Sequence, residues 1–232
     1  MLNEKVLFYD NTKDYSLKKE YKSKNKVQLI GMYTANNDKK YYVKKSISNH
    51  KKMLKEIDIL GILNKNKLTV PKVLFEQESS YIREYIEGKN LLFLLNDFEK
   101  KQNKKFCYSK NETLIYNFLE WIDKFYYILE IQTGEKIILN DMDLTNFILN
   151  DKGIYGLDFE MCKRGEKERD MGMFLSNILT LDNPFTNWKI RFTRQVLKRI
   201  YEYGYDLNLV RKEIYKGLDD KKIPDMLRLL KK

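Results

Sequence analysis

The chain has 232 residues, 43% of them apolar, and a formal net charge of +11, enough for one large domain or two small lobes with a real core. A single histidine, His50, and two cysteines, Cys107 and Cys162, argue against a zinc cage, a Ser-His-Asp triad or a disulfide framework, and free thiols suit a reducing cytoplasm. No segment reaches the roughly 18 uninterrupted apolar residues of a membrane-spanning helix, the opening MLNEKVLFYD does not read as a signal peptide, and only 8 of the 44 basic residues are arginine, so the charge reads as composition and no specific nucleic-acid partner is expected.

In chain order, VQLIGMY and YYVKKSI predict two strands around the turn TANNDKK, whose Asn36-Asn37-Asp38 suit a turn. A helix is predicted over about 49–64, with Asn49 as N-cap. After Pro71 come two short strands, KVLFEQ and SYIREYI, and Gly88 then punctuates the chain. Helices are expected over about 89–100 and 111–131. A hairpin follows within 139–160, LNDMDLTNFILNDKGIYGLDFE, and the remainder reads as helical, broken near Pro184, Gly204, Gly217 and Pro224. Strands and one helix first, mostly helices after, make an α+β plan with an N-terminal lobe over 1–86 and a helical lobe over 87–232.

The hairpin carries the chemistry. Asp141 precedes Asn146 on the loop entering its first strand, and Asp158 stands at the end of its second. Antiparallel neighbours lie about 5 Å apart, so the turn brings Asn146 and Asp158 near one point. Their hard oxygens suit Mg²⁺, and Asp141 is placed to orient or deprotonate a hydroxyl. Asp143 competes for that role.

Asp-x4-Asn followed by a hairpin and Asp-Phe, here Asp141…Asn146 and Leu157-Asp158-Phe159-Glu160, resembles the protein-kinase-like superfamily. It is most similar to its aminoglycoside phosphotransferase and choline kinase branch, and also to small RIO-type and lipopolysaccharide-core kinases. The resemblance implies a two-lobed kinase-like fold with Asp141 as the catalytic aspartate and Asn146 and Asp158 as magnesium ligands. It also implies a phosphate-binding lysine on the strand before the first helix, paired with a glutamate on that helix. Val43, Lys45 and Ile47 share one face of the strand, which favours Lys45 over Lys44. Glu56 lies at the edge of the stripe Met53, Ile57, Leu60, where an unpaired carboxylate would be unfavourable. Glu84, Tyr85 and Ile86 correspond to the hinge, whose backbone at Glu84 and Ile86 would read adenine. Asp170 matches an aspartate that opens a helix and braces the catalytic loop, and it also reads as an ordinary N-cap.

Two family features are missing. No glycine-rich loop precedes Lys45, so the TANNDKK turn is expected to cover the phosphates. Leu139 stands where a histidine is usual. The function implied is transfer of the ATP γ-phosphoryl group, with Mg²⁺, to a hydroxyl of a small molecule, in the cytoplasm. A RIO-like protein serine kinase and a nucleotide-binding pseudokinase are the alternatives. Arg191, Arg194, Arg199 and Arg211, with Trp188, Tyr201, Tyr203 and Tyr205, offer either an aromatic and basic acceptor wall or the two faces of an amphipathic helix.

Overall fold

A computed structural model of the chain describes residues 16–21, 25–33, 39–102 and 106–219. Its first part is a five-stranded antiparallel sheet in the order β1-β2-β3-β5-β4 (β1 Ser16–Tyr21, β2 Lys26–Tyr33, β3 Lys39–Ser46, β4 Val73–Gln77, β5 Ser80–Glu84). The β2–β3 ladder runs unbroken from Lys26↔Ser46 to Tyr33↔Lys39. Alternation then puts Val43 and Lys45 on one face and Tyr42 and Lys44 on the other. Tyr42 joins Ile30 and Ile82 in a small apolar cluster with Leu74 and Phe75, so both faces of the sheet carry packed side chains. β1 was not foreseen, because SLKKEY is too polar to announce a strand.

α1 (His50–Lys65) crosses behind the sheet, and the Asn49 side chain caps it by accepting the Lys52 N–H at 3.1 Å. Its buried residues are Met53, Glu56, Ile59, Leu60 and Leu63. The stripe is therefore centred one position away from the predicted one. Ile57 is only half-buried, and Glu56 sits on the middle of the buried face.

The second part is mainly helical. β6 (Lys89–Asn90) leads into α2 (Leu91–Gln102), and α3 (Tyr108–Thr133) is the longest helix among the described residues. Lys89 and Asn90 do not begin the helix as predicted. They pair with the catalytic-candidate hairpin, and Asn90 caps α2 by accepting the Phe93 N–H at 2.8 Å. That hairpin is β8 (Phe147–Asn150) and β9 (Gly153–Gly156), giving the order β6-β8-β9. Ahead of it, β7 (Ile137–Ile138) pairs with β10 (Lys163–Arg164). α4 (Lys167–Leu179), α5 (Asn187–Glu202) and α6 (Leu207–Asp219) complete the described chain.

The helices break around Pro184 and at Gly204, whose φ is 71°. Gly217 does not break one. It lies inside α6, where a Cβ would come within 2.4 Å of the Ser176 Oγ on α4. Gly172 on α4 answers it, with Glu213 Cβ 2.3 Å from its own Cβ position. Both glycines thus serve close helix packing, a use that helical periodicity cannot separate from a break. The expected break at Pro224 lies outside the described residues.

One apolar core runs through both parts, from Ile47, Met53 and Leu60 to Phe147, Phe159 and Phe174. Among the described residues, no helix is long and apolar enough to cross a membrane.

Candidate functional site

Lys45 points from β3 into the space between sheet, α1 and the segment after β9. It is 2% exposed, and Glu56 is fully buried. Its ammonium lies 3.0 and 2.9 Å from the two carboxylate oxygens of Glu56 and 3.0 Å from Oδ1 of Asp158. Glu160 Oε2 stands 3.3 Å away on a further side. An ammonium has three N–H bonds, so Glu56 and Asp158 between them use all three. Burial alone would lower the Lys45 pKa, but Glu56 and then Asp158 outweigh it and hold the group charged. Burial pushes the Glu56 carboxyl up, and Lys45 opposes it. Glu56 Oε1 also accepts the Phe159 N–H at 3.2 Å, so one carboxylate ties β3, α1 and Asp158-Phe159-Glu160 together. The rival Lys44 is half-buried on the opposite face of β3.

Phe159 is fully buried, its ring stacked on Phe125 at 5.9 Å. Gly156 leaves room for this arrangement, since a Cβ there would meet the Trp121 ring at 2.4 Å. The Leu157 N–H donates to the Asn146 carbonyl at 2.9 Å, and Phe147 pairs with Gly156. The hairpin therefore sets Asn146 beside Leu157, one residue from Asp158.

The loop 139–146 is held from beneath. Asp170, fully buried, accepts the Leu139 N–H at 2.7 Å, the Asn140 N–H at 2.9 Å and the Tyr126 hydroxyl at 3.0 Å. It is not an N-cap, because α4 begins three residues earlier with Glu166 in that place. Burial raises the Asp170 pKa to about 6 against those three donors. Asn140 adopts φ 56° and accepts from the Arg169 Nε at 3.1 Å. Asn177 adds a bond to the Met142 carbonyl at 2.8 Å. Leu139 fills an apolar slot, 2% exposed.

Asp143 spends its carboxylate locally, capping the short 3₁₀ turn Leu144–Asn146 through the Thr145 N–H at 2.8 Å and the Thr145 hydroxyl at 2.7 Å. Asp141 is half-buried and accepts the Asp143 N–H at 3.2 Å.

Glu84 ends β5, and Ile86 lies in the extended segment that joins β5 to β6. The Glu84 N–H and carboxylate are both engaged with the backbone of Lys72, at 3.0 and 3.1 Å. A groove along this segment is lined by Leu29, Tyr41, Glu84, Ile86, Asn150 and Tyr155.

The turn expected to cover the phosphates, TANNDKK, falls with residues 34–38 outside the described residues. From the β1–β2 connection, the Asn25 side chain reaches the cluster and donates to Glu160. One expectation needs correction, because the aromatic and basic wall does not form beside the hairpin. Arg191, Arg194 and Arg199 line a groove with Tyr108, Glu112 and Ile115 that includes no residue of the 139–160 hairpin. Arg199 pairs with Glu112 and Glu202. Trp188 and Tyr205 are core, while Tyr201 is 69% exposed.

Sequence reasoning missed Glu160 and Asn25 as members of the cluster. Glu160 carries a signal, being two residues from Asp158. Asn25, 135 residues from its partner, carries none. A scan against protein-family models and a search of curated proteins each give no match for this sequence, so its functional reading stands on this geometry.

Proposed function

We propose that the chain is an ATP- and Mg²⁺-dependent phosphotransferase of protein-kinase-like fold, which moves the γ-phosphoryl group to a hydroxyl of a small molecule, as aminoglycoside phosphotransferase-like kinases do. One observation carries the reading. A buried lysine on the third strand touches both a buried glutamate on the following helix, at 2.9 Å, and the aspartate after the hairpin, at 3.0 Å. Phosphoryl transfer needs a fixed cation for the phosphates and hard oxygens beside it, and this cluster brings both together from three separate segments. The strand order and the helix after β3 support the same reading.

In this reading Glu56 orients Lys45 toward the α and β phosphates. Asp158, with a side chain 27% exposed, and the half-buried Asn146 present hard oxygens of the kind Mg²⁺ prefers. Bound there, the ion would neutralise charge on the phosphate oxygens. Asp141 takes the proton of the acceptor hydroxyl as its oxygen bonds to the γ-phosphorus and the bond to the β-phosphate oxygen breaks. The backbone at Ile86, and the carbonyl of Glu84, face the adenine. The loop braced by Asp170 keeps Asp141 in place.

The test is ATP consumption against a panel of hydroxyl-bearing small molecules, compared with Asp158→Ala. Turnover should fall at least about a thousandfold in the variant with folding retained. Equal consumption in the two proteins would falsify the assignment. Phosphate transferred to the chain itself, and lost in Asp141→Asn, would point instead to a protein kinase.

A further inference from the structure

The cluster around Lys45 carries more acid than a phosphate site needs. Glu56, Asp158 and Glu160 all lie within 3.3 Å of one ammonium, and their oxygens lie within 4.8 Å of one another. Among the described residues, the other buried cation on that face of the sheet is Arg83, on β5, which acts on Glu56. All three Lys45 protons are already donated. A phosphate oxygen can reach this ammonium only by displacing a carboxylate.

The three carboxylates are not equally free to leave. Glu56 is fully buried and also holds the Phe159 N–H. Asp158 is bonded to Lys45 and accepts the Glu160 N–H at 3.4 Å. Glu160 has the longest contact to Lys45, at 3.3 Å, with a side chain 11% exposed. Asn25 holds it from the other side.

We infer that Glu160, seated on Lys45 and held there by Asn25, is a latch that makes nucleotide binding conditional on a divalent cation. The inference rests on the phosphotransferase reading and specifies a residue which that reading does not need. Without the cation, an incoming polyphosphate meets two carboxylates still competing for Lys45, and like charges at this range repel. With it, Asp158 and Glu160 acquire a better partner than a shared ammonium, and Lys45 is released to the phosphates. Cation and nucleotide therefore help each other bind, and thermodynamic reciprocity makes the two effects equal.

Calorimetric titration of ATP into the full chain, in EDTA and in excess Mg²⁺, tests this with the wild type, Glu160→Gln and Asn25→Ala. The Gln side chain keeps an acceptor for Asn25 and loses the charge. Glu160→Gln should bind metal-free ATP about tenfold more tightly than the wild type, the size of effect one charge a few ångströms away has in a water-facing cleft. The Mg²⁺-dependent gain should shrink by the same factor. Asn25→Ala, which frees Glu160 to swing outward, should move the ratio the same way by less. A ratio unchanged in both variants, with the wild type binding ATP, overturns the latch and leaves the phosphotransferase standing. A wild type that binds ATP in neither buffer overturns both.

Discussion

Asp170 shows how much one buried carboxylate can be asked to do. It accepts two backbone N–H groups of the 139–140 segment and a tyrosine hydroxyl, while burial holds its pKa up at about 6. The unfolded-state value is 3.8, so the folded state keeps a proton that the unfolded chain releases between about pH 4 and 6. The contribution of Asp170 to stability is thus fully present below pH 4 and is lost as pH rises through 6, by about 3 kcal/mol. Its hydrogen-bonding task has the opposite sign, because the neutral acid forfeits an acceptor for one N–H. Activity that depends on the loop should therefore rise across pH 6 while stability falls. The check is the urea midpoint from pH 4 to 7 in wild type and Asp170→Asn. The variant should lack the slope, and an identical slope in both would assign it to other groups, Glu56 first among them. Lys45 and Glu56 were legible at this scale. Strand alternation selected the lysine over its neighbour, and helical spacing placed the glutamate near the buried face. Asp170 was legible as a brace but not as to its position, since α4 begins at Lys167 after Glu166, whose side chain makes no capping bond that would mark the start. Glu160 and Asn25 were not legible together, because no local pattern joins residues so far apart in sequence.

Among the elements, the α4–α6 contact is sensitive to a single methyl on either side. Gly217 faces Ser176, and Gly172 faces Glu213, so the two helices meet on glycines from both sides. Gly217→Ala gains up to about 1 kcal/mol in helix propensity. It also places a Cβ 2.4 Å from the Ser176 Oγ and 2.9 Å from its Cβ. Overpacking of this kind costs roughly 1–3 kcal/mol, so the net effect should be a loss of about 1 kcal/mol in denaturant unfolding. Adding Ser176→Gly should restore most of it, since residues in contact are not additive. The sequence led the other way here. A glycine in an otherwise helical run reads as a break, and only the partner surface shows that it is a contact. The hairpin, α1, α3 and the β2–β3 pair were readable because each combines strong apolar periodicity with local turn or cap chemistry. β1, β6, β7 and β10 are short or polar and exist only because a neighbour pairs with them.

At the scale of the whole molecule, the strand-rich first part and the helical second part share one apolar core and are tied by two further joints. One is the ionic cluster, where Lys45 and Glu56 engage Asp158 and Glu160, reinforced by Lys55 bonding to the Cys162 carbonyl. The other is covalent, the segment 85–90. Gly88 allows the chain to press against β8, where a side chain would meet Ile148 and the Leu149 carbonyl at 2.6 Å, and Lys89 and Asn90 then pair with Leu149 and Ile148. The polypeptide leaving the sheet is thus stitched into the hairpin that carries Asn146 and leads to Asp158. The hairpin is thereby tied to the helices, and residues 85–87 are the stretch between the end of β5 and the stitch, so a rotation of the sheet against the helices would pivot there. Amide hydrogen exchange should report this as a sharp boundary, with Tyr85, Ile86 and Glu87 exchanging quickly and the Leu149 and Ile148 amides slowly. Slow exchange throughout 85–87 would mean a rigid joint. A pivot that short has a further effect. Rotation about it moves the far end of the sheet through a wide arc and the near end hardly at all, so residues beside the linker would keep one spacing through opening and closing, while those at the Lys45 end would be the ones that come together and part.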